Sequence, residues 1–223
     1  MTDTAVRTWN GLTIPAPGLY VLDEPHRRVG FQAEHLMVST VRGEFTRVAA
    51  TILVAEDPMQ SAVTAVIEAA SITTGHEERD AHLRSPDFLD VDRYPTLTYR
   101  STGMRRYEEN PIFQWARLRT LGRNGPAGHP DTLTRQSLSV ARKFILTGEL
   151  TVKGVTRPVD LDVTYTGTRR NPDGRQVFGF QATAEIDRTD FGLVWNVPLD
   201  AGGVLVGRKV AIELVGEAVR QPM

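Results

Sequence analysis

Apolar and polar residues alternate along most of this chain with a period of two, which is typical of β-strands that bury one face. The alternation is clearest in four segments of the last third: 144–152, 159–165, 178–186 and 210–218. Turn-forming residues separate them, with Lys153-Gly154 as a two-residue turn and Asn171-Pro172-Asp173-Gly174 as a longer one. The pattern predicts long antiparallel hairpins.

Shorter alternating segments occupy the first half of the chain. Residues 18–23 predict a strand, which we expect Pro25 to end, and residues 29–34 predict the next. Residues 38–55 are long enough for one bent strand or two, with Gly43 as the expected bend or bulge.

A polar segment, residues 71–95, interrupts the alternation. Thr73 or Thr74 can cap a helix, acidic residues follow in its first turn, and a proline at position 86 ends it. We therefore predict a helix over about 75–84.

About eight strands with one apolar face each must bury those faces together, as a sandwich or as a closed barrel. Closure removes exposed sheet edges. We predict an all-β fold: a single domain at 18–220 that forms an extended eight-stranded antiparallel barrel, with a short helical segment at about 75–90 across one end and a flexible leader at 1–17. Large and small apolar residues are mixed, which allows either a ligand tunnel or a filled interior.

The segment 118–143 differs from the rest because it is basic, rich in Gly and Pro, and without apolar periodicity. Residues 112–118, just before it, predict a strand that returns from the one beginning at residue 97. We expect an exposed or partly disordered basic insertion, which could serve as a protein-interaction module.

Composition narrows the choice of partners. The net charge of -1 gives no bulk attraction to nucleic acid or to anionic membranes, and the chain contains no cysteine for disulfides, thiol catalysis or thiolate metal sites. No apolar run has the length of a signal peptide or of a transmembrane helix, so we expect a cytoplasmic protein.

Four stretches in this order resemble the YceI-like family: YVLDEPHRRVGFQAEHLMVSTVRGEF (20–45), SITTGHEERDAHLRSPDFLDVDRYPTLTYRS (71–101), LTGELTVKGVTRPVDLDV (146–163) and RTDFGLVWNVPLDAGGVLVGRKVAIELVGEA (188–218). The resemblance implies a lipocalin-like barrel with a long apolar tunnel, a polyisoprenoid chain inside it, and a homodimer. It also implies a tight hairpin where this chain has the longer 118–143 insertion. Many relatives are exported.

The leading hypothesis is a non-catalytic carrier of a polyisoprenoid lipid, with a quinone or prenyl phosphate head group and no other cofactor. His35 could hydrogen-bond the head group or be an ordinary core histidine. Phe88 and Trp195 could plug one end of the tunnel. The candidate ligand-binding residues are Phe31, Ala33, His35, Phe45, Ile67, Phe88, Tyr99, Phe178, Phe180 and Trp195.

The main alternative is a metal-dependent hydrolase that uses His76, Asp80 and His82. His76 and Asp80 share one helix face, but the H-E-x-x-H pattern is not met, and His82 points to another side. A structural role for Arg79 and Asp80 in fixing the connection is the stronger interpretation. The sequence also lacks a G-x-S-x-G nucleophile motif and a phosphate-binding loop, so we expect no enzyme activity.

Overall fold

A computed structural model of the protein describes residues 6–36, 38–107, 142–198 and 205–222. The strands are β1 (Val6–Trp9), β2 (Leu12–Pro15), β3 (Gly18–His35), β4 (Ser39–Phe45), β5 (Val48–Val54), β6 (Ala62–Glu68), β7 (Ile72–Thr73), β8 (Thr96–Arg106), β9 (Lys143–Val152), β10 (Val155–Pro158), β11 (Leu161–Arg170), β12 (Gln176–Asp187) and β13 (Val206–Arg220). The α-helix is α1 (Glu77–Arg84), and the short 3-10 turns are Pro58–Gln60, Ala69–Ser71 and Arg188–Phe191.

Eight antiparallel strands close into a barrel in the order β3, β5, β6, β8, β9, β11, β12 and β13, with β13 returning to β3. The closed all-β barrel with one short helix confirms the fold predicted from the sequence. Three shorter strands of the same sheet lie outside the ring, where β4 pairs with β3, β7 with β4, and β10 with β9, and β1 and β2 form a separate two-stranded sheet. Closure leaves the apolar faces of all eight strands pointing inward.

The prediction that Pro25 ends a strand is wrong, because β3 runs through it from Gly18 to His35. Along β13, the pairing passes from Leu22 with Ala218 directly to Arg27 with Gly216. The residues in between therefore form a bulge without ladder partners, where the missing N–H of proline costs no hydrogen bond.

Residues 38–55 form two strands, β4 and β5, rather than one bent strand. The expected bulge at Gly43 is also wrong, because the pairing of β4 with β3 continues through Gly43, which lies opposite Phe31. A β-carbon at Gly43 would collide with the Phe31 ring. Glycine is needed there for close packing and not for a bend.

The predicted flexible leader contains a hairpin, β1–β2, in the part that the structure describes. Leu12 and Ile14 are buried, and the Tyr165 hydroxyl donates to the Thr13 carbonyl at 2.8 Å. The Arg7 guanidinium donates to the carbonyls of Ala55 and Glu56 on the other side of the barrel. The hairpin thus spans one end of the barrel.

The two turn predictions from the last third are confirmed. Lys153 and Gly154 both have positive φ, 49° and 74°, as the tight turn between β9 and β10 requires. Gly174, with φ of 78°, closes the turn between β11 and β12 by donating from its N–H to the Asn171 carbonyl at 2.9 Å. The predicted strand at 112–118 and most of the 118–143 insertion lie outside the described residues.

Candidate functional site

The barrel encloses a cavity of about 1040 Å³, with wall residues from all eight barrel strands. This volume is at the upper end of the range of roughly 300–1,000 Å³ that is usual for small-molecule sites. The sequence left open whether the interior is hollow or filled, and the structure shows it hollow.

Small residues on the inward faces leave this space. Ala50 and Ala65 lie opposite each other on β5 and β6, and both line the cavity with Ala33 and Ala182. Larger apolar side chains from the other strands complete a wall that is mostly hydrocarbon. Such a surface favours an apolar ligand because burial of apolar area is the main driving force for binding.

Two tyrosine hydroxyls of the wall, those of Tyr99 and Tyr165, are engaged with the backbone. The Tyr99 hydroxyl donates to the Leu146 carbonyl at 3.0 Å, and burial raises its pKa. Burial likewise raises the pKa of Tyr165 to about 12, and its hydroxyl is bound to the Thr13 carbonyl. Both phenols are therefore protonated at neutral pH and act as structural donors.

Charged lining residues are all cationic. Among the described residues, the wall includes Arg28, Arg106, Arg142, Lys143 and Arg188 but no Asp, Glu or His. The net charge of the whole chain is close to zero, so the excess of positively charged side chains is a property of the cavity wall and not of the chain as a whole.

One end of the cavity, which we call the helix end, is closed by α1, the segment that follows it, and the turn Arg188–Phe191. Asp80 is buried there and accepts hydrogen bonds from the Thr73 hydroxyl at 2.9 Å, the Thr74 N–H at 2.8 Å and the Thr74 hydroxyl at 2.5 Å. Burial alone would raise the pKa of Asp80, but these hydrogen bonds outweigh burial and hold the pKa below its usual value.

Thr73 and Thr74 therefore do not cap the helix, contrary to prediction. The cap is His76, whose Nδ1 accepts from the Arg79 N–H at 3.5 Å. The predicted structural role of Arg79 and Asp80 is confirmed, since both bind Thr74.

Arg188 fixes the other part of the helix end and is only 3% exposed. Its guanidinium donates to four backbone carbonyls: Leu193, Trp195 at 2.9 Å, Val206 at 3.2 Å and Gly207 at 2.9 Å. Burial lowers the pKa of this group. The segment after the turn is thereby held against the start of β13.

Three rings pack together beside Arg188. The ring centroids of His82 and Trp195 are 4.5 Å apart, and those of Phe88 and Trp195 are 5.3 Å apart. Phe88 also lines the cavity. Phe88 thus contributes to the cavity wall at the helix end, and His82 and Trp195 pack against it without lining the cavity.

The opposite end, which we call the hairpin end, is formed by β1–β2, the turn Pro58–Gln60, and the adjacent ends of β8 and β9. Trp9 of the hairpin lies under Arg106, with the guanidinium carbon 5.5 Å from the ring centroid. Arg106 and Arg142 are both exposed at this end and both line the cavity.

The family model of the YceI-like domain matches residues 20–218. The chain belongs to the YceI-like family. A UPF0312 protein of Staphylococcus aureus strain N315 is 30% identical over 200 residues, which cover 89% of this chain and 95% of that protein.

Solved structures share the fold of this YceI-like chain. Burkholderia cenocepacia BcnA has a TM-score of 0.59 at 20% identity, covering 88% of this chain and 98% of BcnA. A polyisoprenoid-binding domain from Saccharophagus degradans, implicated in plant cell wall breakdown, has a TM-score of 0.53 at 13% identity, covering 92% of this chain and all of that domain.

Eight of the ten candidate ligand-binding residues lie on the cavity wall: Phe31, Ala33, Phe45, Ile67, Phe88, Tyr99, Phe178 and Phe180. The other two, His35 and Trp195, are outside it. His35 ends β3 at the barrel rim, where its carbonyl accepts from the Ser39 hydroxyl at 3.2 Å. Contact of these residues with a ligand stays a prediction.

Residues that the sequence analysis missed lie at both ends of this YceI-like barrel. At the hairpin end they include Leu12 and Ile14, whose alternation is only one short strand long. Arg106 was missed because its charge suggested an outward position, although it shares the inward parity of Met104. No feature of the sequence singled out Arg188, apart from its position in the stretch 188–218 that resembles the YceI-like family.

The histidines and carboxylate of the hydrolase hypothesis are not brought together. His82 Nε2 bonds Asp87 at 3.0 Å, whereas Asp80 and His76 bind the backbone and hydroxyl groups described above. In the described ranges, Asp23, His26 and Glu217 are the one group of this kind with ligand atoms within 4.8 Å, and none of the three lines the cavity. None of the helices in the described ranges has the length and apolar character needed to cross a bilayer.

Proposed function

We propose that this protein is a non-catalytic binding or carrier protein for a polyisoprenoid lipid, whose chain occupies the barrel cavity. The observation that carries the proposal is the cavity itself, about 1040 Å³ of apolar space without a described acid or histidine in its wall. Family membership and the polyisoprenoid-binding neighbour support the same ligand class. The head group is of the quinone or prenyl phosphate type.

Burial of the hydrocarbon chain supplies the binding energy. Each buried CH₂ contributes roughly 0.8 kcal/mol, whereas each immobilised rotor-rich group costs about 0.5–1.5 kcal/mol. A prenyl chain loses less freedom on binding than a saturated chain of the same length, because each isoprene unit contains a rigid double bond. Tight binding thus needs few polar anchors, in accord with the mostly hydrocarbon wall.

A carrier role fits the engagement of the polar groups in the wall. The hydroxyls of Tyr99 and Tyr165 donate to carbonyls, and the Ser61 hydroxyl accepts from the Ala55 N–H at 3.2 Å. None of these described groups is paired with a general base. The cytoplasmic location and the homodimer expected from the sequence belong to the same proposal.

The test is to fill the cavity from within. Ala65→Trp places a large ring inside the barrel, and Thr64→Trp places the same ring on the outer face of the same strand. We expect native mass spectrometry with organic extraction to find a prenyl lipid with the wild type and Thr64→Trp but not with Ala65→Trp. Circular dichroism would verify that each variant is folded. Ala182→Leu is a second variant that fills the cavity with a smaller side chain.

Two results would overturn the proposal. One is wild-type protein that carries no lipid and takes up no added prenyl lipid after extraction. The other is a folded Ala65→Trp variant that carries as much lipid as Thr64→Trp. Bound zinc in place of lipid would favour the hydrolase alternative.

A further inference from the structure

An interruption of the ladder between β3 and β13 creates a polar cluster on the outside of the barrel. The pairing skips residues 23–26 of β3 and Glu217 of β13. Bulges of this kind change the direction of side chains and are frequent beside functional sites. Ala218 is fully buried, so its neighbour Glu217 points to the outer face of the sheet.

Three side chains that can ligate a metal ion meet at this interruption. His26 Nδ1 lies 2.6 Å from the Asp23 carboxylate, and the ligand atoms of Asp23, His26 and Glu217 all lie within 4.8 Å of one another. Metal–ligand bonds of about 2.1 Å place the ligands of a tetrahedral zinc site roughly 3.4 Å apart. Small side-chain rotations therefore suffice to bring the three ligand atoms around one cation.

The backbone restricts all three ligands before a cation binds. Pro25 lies between Asp23 and His26, and its ring fixes φ at about −65°, which removes freedom from a segment without ladder partners. Glu217 is held from the other side, because β13 pairs there with Gly179 of β12. Ligands that are already restricted lose less entropy on binding.

The chemistry of the three side chains indicates which cation suits them. Carboxylates alone favour Ca²⁺ or Mg²⁺, whereas an imidazole nitrogen beside two carboxylates suits Zn²⁺ or a similar first-row cation. The two neighbouring carboxylates repel each other, and a divalent cation neutralises both. Arg169 lies 3.8 Å from Glu217 and offsets part of the repulsion, but its side chain is 78% exposed and such ion pairs contribute little.

From this geometry we infer that Asp23, His26 and Glu217 form a binding site for Zn²⁺ or a similar divalent transition cation on the outer face of the barrel. The cation joins the bulge of β3 to β13 where the ladder is interrupted, and water takes the remaining coordination position. None of the three residues lines the cavity, so the site is separate from the lipid-binding proposal and from the residues of the hydrolase hypothesis.

The experiment measures binding of the metal alone. Untagged full-length protein, stripped of metal with EDTA, is titrated with Zn²⁺ by isothermal calorimetry and is unfolded by heat with and without Zn²⁺. His26→Gln and Glu217→Gln each remove one ligand. His35→Gln removes a histidine from the same strand, and His76→Gln removes one from the hydrolase hypothesis. Circular dichroism verifies that each variant is folded.

We expect one-to-one binding of Zn²⁺ by the wild type and by both histidine controls. His26→Gln and Glu217→Gln should each lose at least about tenfold in Zn²⁺ affinity, because each removes one of the protein ligands. Zn²⁺ should raise the melting temperature of the wild type but not of these two variants, since a cation that binds the native state stabilises it. Arg169→Gln should bind Zn²⁺ more tightly, because positive charge beside the site is removed.

Several results would overturn the inference. One is wild-type protein that binds no Zn²⁺ at submillimolar concentrations. Another is unchanged affinity in His26→Gln and Glu217→Gln, or a loss in His76→Gln instead, because the zinc would then be bound elsewhere in the chain. Ca²⁺ or Mg²⁺ bound as tightly as Zn²⁺ would overturn the assignment of a transition cation. The lipid proposal is unaffected by any of these results, since extraction of the lipid tests it separately.

Discussion

The two ends of this barrel use charged side chains in opposite ways. At the helix end, Asp80 and Arg188 are buried, and several N–H, hydroxyl or carbonyl partners surround each of them. At the hairpin end, Arg106 and Arg142 are exposed and have no carboxylate partner among the described residues.

This difference separates charges that maintain the structure from charges that are available to a ligand. A buried ion must have its hydrogen bonds satisfied within the protein, because desolvation is otherwise too costly. An exposed arginine stays hydrated until a ligand arrives, so it adds little to stability and can contribute to binding. The helix end accordingly closes the cavity with buried charges, whereas the charges of the hairpin end stay hydrated at the cavity wall.

Replacing Arg188 should give the largest loss of stability. Arg188→Met removes the four hydrogen bonds by which a buried guanidinium joins Leu193 and Trp195 to the start of β13, so we expect the free energy of unfolding to fall by about 3–5 kcal/mol. The matched control is Arg208→Met, because the Arg208 side chain is 66% exposed and pairs with Asp187 at 2.8 Å. An exposed pair of this kind is worth less than about 1 kcal/mol.

Urea unfolding of the two arginine variants measures the contrast. Equal losses for Arg188→Met and Arg208→Met would show that the helix end does not depend on its buried charge.

Asp80 should give a smaller effect that depends on pH. Asp80→Asn removes the charge and one acceptor from a buried network, and we expect about 2 kcal/mol lower unfolding free energy at pH 7. The native pKa of Asp80 is lowered, so its contribution is complete above the usual Asp pKa of about 3.9 and is lost as the pH falls through the native value. The gap between wild type and variant should therefore shrink in acid.

Unfolding curves at pH 7 and below pH 3 test this sign. Glu78→Gln is the control, since it removes the same charge from an exposed position of the same helix and should cost no more than about 1 kcal/mol. A gap for Asp80→Asn that widens in acid would contradict the assignment.

The barrel fold could be predicted from the sequence because few architectures bury the apolar faces of long one-sided strands. The alternation in β9, β11, β12 and β13 identified inward residues, and the two candidates that lie on these strands, Phe178 and Phe180, do line the cavity. The turn at Lys153 and Gly154 was equally local, because Gly154 readily adopts the positive φ that a two-residue turn needs. The positive φ of Lys153 is unusual for a residue with a side chain and accompanies the close pairing of β9 with β10.

Features that depend on contacts between residues far apart in the sequence could not be predicted from it. Pro25 is tolerated within β3 because it lies in a bulge of β3 that has no ladder partner on β13, and Gly43 is required by the ring of Phe31 on another strand. The hairpin β1–β2 is held by contacts with Tyr165, Ala55 and Glu56, far away in the sequence. Local pattern carries no information about such partners.

The smallest effect on stability is expected at the hairpin end. Arg106→Gln/Arg142→Gln, in lipid-free protein, should change the unfolding free energy by less than about 0.5 kcal/mol, because both side chains are exposed. The substitutions also remove the repulsion between the two positive charges, which offsets the loss of Arg106 packing on Trp9. Thermal unfolding of the lipid-free proteins measures the difference. A double variant that is as unstable as Arg188→Met without lipid would place these arginines among the structural charges and remove the distinction between the two ends.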